Sequence, residues 1–133
     1  MKNPFLTKVL DYSFNGIYVY DVVKGCNIYI NQAYTELTGY KLEDLNSMDQ
    51  ATFFALFHPE DQQAIADHMG EVMSANLNDR IEIKYRFKKK NGDWMWCHSI
   101  DSIIETDADE KPSQFMGAFI DITEDVAKAF KIE

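Results

Sequence analysis

Three histidines, two cysteines and a large set of aromatic residues are the side chains of this chain that could do chemistry. His58, His68 and His98 are scattered, and Cys26 and Cys97 form no C-x-x-C, so a zinc-type ligand set has no source. The acidic run Asp107-Ala108-Asp109-Glu110 lacks the EF-hand spacing. The sequence holds no phosphate-cradling glycine loop, Ser-His-Asp set or H-E-x-x-H. Haem would need an axial histidine, and a lone helix histidine is more often a packing or surface residue. Neither catalysis nor a metal is therefore expected. Seven tyrosines and nine phenylalanines are first a statement about the core. Second, a tyrosine offers a pocket an apolar wall with a hydroxyl at its tip.

The totals narrow the partners. Twenty-two acidic against 13 basic residues give a net charge of -9, which repels a phosphate backbone and an anionic membrane surface. Nucleic acid is not an expected partner. No stretch approaches the roughly 20 apolar residues of a membrane span, so no membrane insertion is expected in this segment. Met1-Lys2-Asn3-Pro4 has no apolar run behind it and does not read as a signal peptide. Two cysteines without a pairing pattern suit a reducing, cytoplasmic location. A 133-residue chain with 46% hydrophobic residues suits one folded domain.

The elements that must position these side chains follow from periodicity. Phe5, Leu6, Val9 and Leu10 predict a short amphipathic helix over residues 4 to 13. Gly16 to Asp21 and Asn27 to Ile30 predict two strands joined at Lys24-Gly25. Asn31 can cap a helix through Thr38 that Gly39 ends. Residues 41 to 45 and 52 to 57 predict further helical segments. Pro59 suits the first turn of a longer helix whose buried stripe is Ile65, Met69 and Val72. Ile81, Ile83, Tyr85 and Phe87 alternate with charged residues, Asn91-Gly92 turns the chain, and Trp94 to Ile100 returns it. Phe115 to Asp121 is a last strand, and Thr123 can cap the helix beginning with Glu124 and Asp125. Tight turns between consecutive strands imply an antiparallel sheet with helices on one side, an α+β architecture.

Several motifs resemble the PAS family of sensory domains. Asn31 through Leu45 looks like the family's N-x-A-x-x-x-L-T-G-Y-x-x-E-D-L run, and Phe57-His58-Pro59-Glu60-Asp61 like its H-P-x-D helix start. Lys90-Asn91-Gly92 with Trp96 looks like the central hairpin, and Gly117 to Glu124 like the G-x-x-x-D-I-T-E close of the last strand. The likeness covers residues 12 to 125. It implies a five-stranded antiparallel sheet curved around helices with a pocket between them. It divides the chain into an N-terminal amphipathic helix (1–11), a PAS sensory domain (12–123) and the start of a C-terminal signalling helix (124–133). Such domains precede a histidine kinase or a cyclic-dinucleotide enzyme such as a diguanylate cyclase. The chain is accordingly expected to be a segment of a longer signalling protein, such as one of a two-component system, with its output domain beyond the C-terminus.

Pattern and resemblance disagree on which sheet face is the pocket. By pattern, Ile81, Ile83, Tyr85 and Phe87 face the core. Pairing across a two-residue turn then puts them beside Trp96, His98 and Ile100, with Arg86 beside Cys97 and Lys84 beside Ser99. The resemblance reverses this: Arg86, Cys97 and Ser99 face the pocket. The apolar stripe then lies outside, under the N-terminal helix, and His98 packs there too. By the same carry-over Tyr18, Tyr20, Tyr34, Phe115 and Phe119 line the pocket, and Gly117 leaves room. With Arg86 as a cation, such a pocket suits a small aromatic or carboxylate-bearing ligand. Alternatively, Arg86 pairs with Glu82 or Asp101 and the rings simply fill the core. Residues 50 to 60 lack the cysteine of flavin-adduct-forming relatives, so covalent flavin chemistry is not expected; noncovalent flavin stays open without a positive signal, and haem is not expected. Asp121 and Thr123 are the expected relay to the last helix, though Asp121 can equally serve only to start it. The rival expectation is a ligand-free module whose homodimer forms through Leu6, Val9, Leu10, Tyr85 and Trp96.

Overall fold

The computed structural model describes residues 3–131. Asn3 caps α1 (Pro4–Asp11) by accepting the Leu6 N–H. Strands β1 (Gly16–Asp21) and β2 (Cys26–Ile30) pair across a turn at Lys24-Gly25, where Gly25 takes φ +69°. Asn31 then does more than cap α2 (Gln32–Thr38). Its side-chain oxygen accepts from Tyr34 N–H at 3.1 Å and Ile17 N–H at 2.8 Å. Its amide nitrogen donates to the carbonyls of Leu10 at 2.9 Å and Asn15 at 3.0 Å. One residue, 1% exposed, thus lashes α1, β1 and α2 together. Gly39 ends α2 in the left-handed conformation at φ +86°.

Three short elements follow: α3 (Leu42–Asn46), α4 (Gln50–Phe54) and a 3-10 turn, Pro59–Asp61, that opens into α5 (Gln62–Ser74). The buried positions of α5 are Ile65, His68 and Val72. Strands β3 (Ile81–Lys88), β4 (Trp94–Thr106) and β5 (Pro112–Asp121) lead into α6 (Thr123–Lys131). The five strands form one antiparallel sheet in the order β2-β1-β5-β4-β3, with α2, α3 and α5 packed on it. The α+β expectation holds. Among the described residues no helix is long and apolar enough to cross a membrane.

Four local expectations are corrected. First, the central hairpin does not turn on two residues. Lys89 N–H bonds to the Asp93 carbonyl and Gly92 N–H to the Lys89 carbonyl, so Lys90, Asn91 and Gly92 form a three-residue loop with Gly92 at φ +96°. The extra residue shifts the register by one: Tyr85 pairs with Cys97, Arg86 with Trp96 and Phe87 with Met95. Because paired residues share a face, Arg86 moves outside and Tyr85 moves inside. Second, β4 runs on from Ile100 to Thr106 because polar Ser99 and Asp101 find buried partners. Third, α1 does not cover the outer sheet face. It is held at its C-terminal end by Asn31 and Gln32, and Phe5, Leu6 and Val9 stay exposed. Fourth, Thr123 does not cap α6; its hydroxyl oxygen accepts the Trp96 N–H at 2.9 Å.

Candidate functional site

A cavity of about 610 Å³ lies between the sheet and the helical side. Its sheet wall carries Tyr18 and Tyr20 from β1, Asn27 from β2, Tyr85 and Phe87 from β3, Cys97 from β4, and Phe115 and Phe119 from β5. Its helical wall includes Tyr34 and Thr38 of α2, Phe53 and Phe54 of α4, and Ile65 and Met69 of α5. The size falls in the roughly 300–1,000 Å³ range of small-molecule sites. Charged residues line it only at exposed Lys24 and Asp49.

The lining rings mix geometries: Tyr20 stacks on Phe115 at 5.1 Å and 28°, and Tyr34 packs edge-on. Tyr34 meets Phe119 at 5.4 Å and 87° and Tyr18 at 6.1 Å and 84°. Burial raises the pKa of Tyr18 well above its usual value, with the Asp101 carboxylate adding to it. Burial, then Cys97, raises Tyr85 likewise, and Tyr34 is raised by burial, Cys97 and Tyr40. The Cys97 thiol is pushed up to about 12 by burial, with Asp121 adding. All four groups are therefore uncharged near neutral pH.

Behind Tyr18 lies a buried polar chain. The Tyr18 hydroxyl donates to Asp101 Oδ1 at 2.5 Å, and His68 Nε2 lies 2.6 Å from Asp101 Oδ2. Asp101 is 2% and His68 6% exposed. Gly117, opposite Asp101 on β5, makes the space: a Cβ there would overlap the Tyr18 ring and hydroxyl and Asp101. Neither His68 nor Asp101 was singled out as a site residue from sequence. The available signals were that His68 follows Ile65 by three on the buried stripe of α5, and that Asp101 shares the inward face with Cys97 and Ser99. Ser99 does not line the cavity; it is fully buried and its hydroxyl lies 2.6 Å from Tyr85 Oη.

Of the residues expected in the pocket, Tyr18, Tyr20, Tyr34, Cys97, Phe115 and Phe119 line it. Arg86 does not. Its guanidinium grips Asp61 through Nε at 3.0 Å and Nη2 at 2.9 Å, reaches Glu60 at 3.1 Å, and lies 4.8 Å over the Trp96 ring. Its partners are therefore neither Glu82 nor Asp101. Glu82 instead meets His98, at 2.7 Å, on the outer face. Arg86 holds Asp61 below the usual carboxylate range, chiefly through the side-chain bond. Tyr85, expected outside, lines the cavity; Leu6 and Val9 are exposed, Leu10 and Trp96 half-buried.

The joint to α6 is built on the same strand as Cys97. Trp96 gives its N–H to Thr123 Oγ1 and takes the Ile122 N–H at 2.9 Å, while Asp121 Oδ1 accepts the Thr123 N–H at 2.8 Å. These bonds tie β4 to the start of α6.

The side chains bear on a covalent flavin adduct and on haem ligation. Residues 42 to 74, which hold α3 through α5, contain no cysteine for a flavin adduct, and Cys97 presents a neutral thiol from β4. The one buried histidine, His68, has its Nε2 engaged by Asp101.

Comparison with known proteins agrees with this geometry. The model of the family described as PAS fold matches residues 27–119. No curated protein matches the chain. Among solved structures, the PAS domain of a protein from Colwellia psychrerythraea is similar at 24% identity and TM-score 0.72, over 90% of this chain and 96% of that one. A sensory box histidine kinase/response regulator structure from Burkholderia thailandensis is similar at 16% identity and TM-score 0.73, over 96% of this chain and 91% of that one. An RNA-binding Light-Oxygen-Voltage receptor is similar at 22% identity and TM-score 0.71; the likeness covers 92% of this chain but 33% of that one.

Proposed function

The chain belongs to the PAS-fold family, and from that premise we propose that it is the sensory domain of a signal-transduction protein. It binds a small ligand in the cavity and passes the change through β4 and the Trp96–Thr123 joint to α6. The observation that carries this reading is the placement of Cys97 in the cavity wall next to Trp96 in the joint. One strand thus serves both. A ligand that packs differently against the two arrangements of β4 shifts α6 by its difference in affinity. The domain acts without catalysis of its own, in the cytoplasm, ahead of a histidine kinase or cyclic-dinucleotide enzyme. Its two cysteines, unbridged, and its likeness to a histidine-kinase sensory domain support that setting. The division into helix 1–11, domain 12–123 and signalling helix from 124 belongs to the same proposal.

Native mass spectrometry with an absorbance scan of freshly purified protein, followed by amide NMR, tests it. The expected result is a noncovalent adduct whose loss shifts the amides of Phe119 and Thr123 together. A bare chain mass, with no compound of a small-molecule library shifting those amides, would overturn the ligand part.

A second reading rests on a separate observation. Ile104, Met116 and Ile120 are exposed on the outer face, and α1 leaves Phe5, Leu6 and Val9 exposed. A homodimer in which α1 covers the partner's sheet would bury both sets. Sedimentation should give a dimer that Leu6→Glu or Val9→Glu converts to monomer; a wild-type monomer at high concentration would sink the idea.

A further inference from the structure

We propose that the cavity selects an uncharged, flat aromatic ligand with a hydrogen-bonding edge, read by the Tyr34 hydroxyl and the Asn27 side-chain amide. This rests on the reading of the cavity as a ligand site.

Two polar side chains of the cavity wall that bond to no protein group among the described residues carry the first half. Tyr18 gives its hydroxyl to Asp101, and Tyr85 pairs with Ser99. Tyr34, 5% exposed and on the cavity wall, has no hydrogen-bond partner for its hydroxyl among the described residues. Unlike the Tyr29 hydroxyl, which is enclosed without a partner, the Tyr34 hydroxyl opens on the cavity, where a ligand can bond it. Asn27 repeats the pattern. It is 7% exposed and pairs with Tyr20 on the cavity face of the sheet. Its backbone carbonyl takes the Asn46 amide, while its own side-chain amide has no partner among the described residues. An amide both donates and accepts, so its complement is another amide, a lactam or a carbonyl beside an N–H.

Charge carries the second half. The cation expected inside, Arg86, is bound to Asp61 and Glu60 outside. The lining's charged residues, Lys24 and Asp49, are exposed. A ligand carboxylate would meet the buried Asp101 behind Tyr18 and no buried cation. A ligand ammonium would find the Asp101 oxygens already held by Tyr18 and His68. The faces and edges of Tyr18, Tyr34 and Phe119 favour a flat ring.

Shape-matched probes test this by calorimetry on the full chain: naphthamide, naphthoate, naphthylmethylammonium and naphthalene, with amide NMR to locate each. Naphthamide should bind about tenfold tighter than either ion. Tyr34→Phe and Asn27→Ala should each weaken naphthamide by about fivefold to tenfold and leave naphthalene within about twofold. Tyr34→Phe should also leave the melting temperature unchanged, because it removes no protein hydrogen bond. If an ion binds tightest and shifts the Phe119 amide, the selectivity is wrong while the ligand site stands. If naphthamide is tightest but neither substitution weakens it, the two named groups are wrong. If no probe shifts cavity amides, the proposal and the ligand reading fall together.

Discussion

The two faces of this sheet start from the same alternation and end in opposite states. On the inner face of β4, Met95, Cys97, Ser99, Asp101 and Ile103 are each at most 2% exposed. On the outer face, Trp96, His98 and Ile100 are half-buried and Ile104 is exposed. The inner face also holds the polar chain Tyr18–Asp101–His68, whereas the outer face carries its ionic groups half-buried, as Arg86–Asp61, or more open, as His98–Glu82. Packing and desolvation are far stronger on the inner face. Substitutions there should be felt far more than their neighbours one residue away.

The sharpest difference concerns the thiol. Because Cys97 is pushed up to about 12 while a free cysteine sits near about 8.5, its thiolate at pH 8 is on the order of a thousandfold scarcer. In a Cys26→Ser background, Cys97 should alkylate with iodoacetamide about a thousandfold more slowly folded than in urea. Equal rates would mean that the inner face opens freely. The sign for stability follows. A raised folded pKa contributes stability fully present below the unfolded value and lost as pH rises toward the folded one. The urea midpoint should therefore fall between about pH 9 and 12.

Gly117→Ala should cost about 3 kcal/mol in urea unfolding, since the new methyl displaces Tyr18 and severs its bond to Asp101. Its outward neighbour changed as Ala118→Val should move stability by no more than about 0.5 kcal/mol. A mild Gly117→Ala effect would show that β1 and β4 can part without loss.

Two adjacent isoleucines give a cleaner pair. Ile103→Ala, at a position 1% exposed, should cost about 3 kcal/mol. Ile104→Ala, at 39% exposed, should cost about 0.5 kcal/mol. Chemical denaturation of both variants checks the ratio, and near-equal costs would mean that a dimer buries Ile104.

Asp61→Asn should cost about 1.5 kcal/mol at pH 7 by breaking the two-point grip of Arg86. The Asp61 pKa is lowered, so this stability is present above the unfolded carboxyl value of about 3.9 and lost as pH falls through the folded one. The gap between wild type and variant should hold from pH 7 to about pH 5 and close below about pH 4. A gap that persists in acid would assign the loss to packing instead of charge.

Much of this molecule was legible in the chain. Asn31, Gly39, Lys24-Gly25 and the alternation of β3 and β5 each mark an element by chemistry confined to a few neighbours. The resemblance added the cavity side of Cys97 and of the lining tyrosines. Arg86 and Tyr85 were misplaced for one reason. Asn91-Gly92 signals a turn but does not say whether two residues or three form it; the alternation of β3 placed Tyr85 and Phe87 inward, as found, and the two-residue register taken with the inward Cys97 reversed it.

By itself, then, the sequence determined which segments are strands and helices, where they stop, and that the strands pair antiparallel. Those outcomes depend on backbone preference and on partners a few residues away. Only the tertiary structure decided which side chains meet inside. Gly92 in the left-handed conformation adds one residue to the hairpin and turns Arg86 outward. Asp101 meets His68 across 33 residues and Tyr18 across 83, above a glycine that clears the space. Period-2 alternation is unchanged by a one-residue slip, so it cannot fix which residue of β4 stands beside which of β3; the loop that closes the hairpin does.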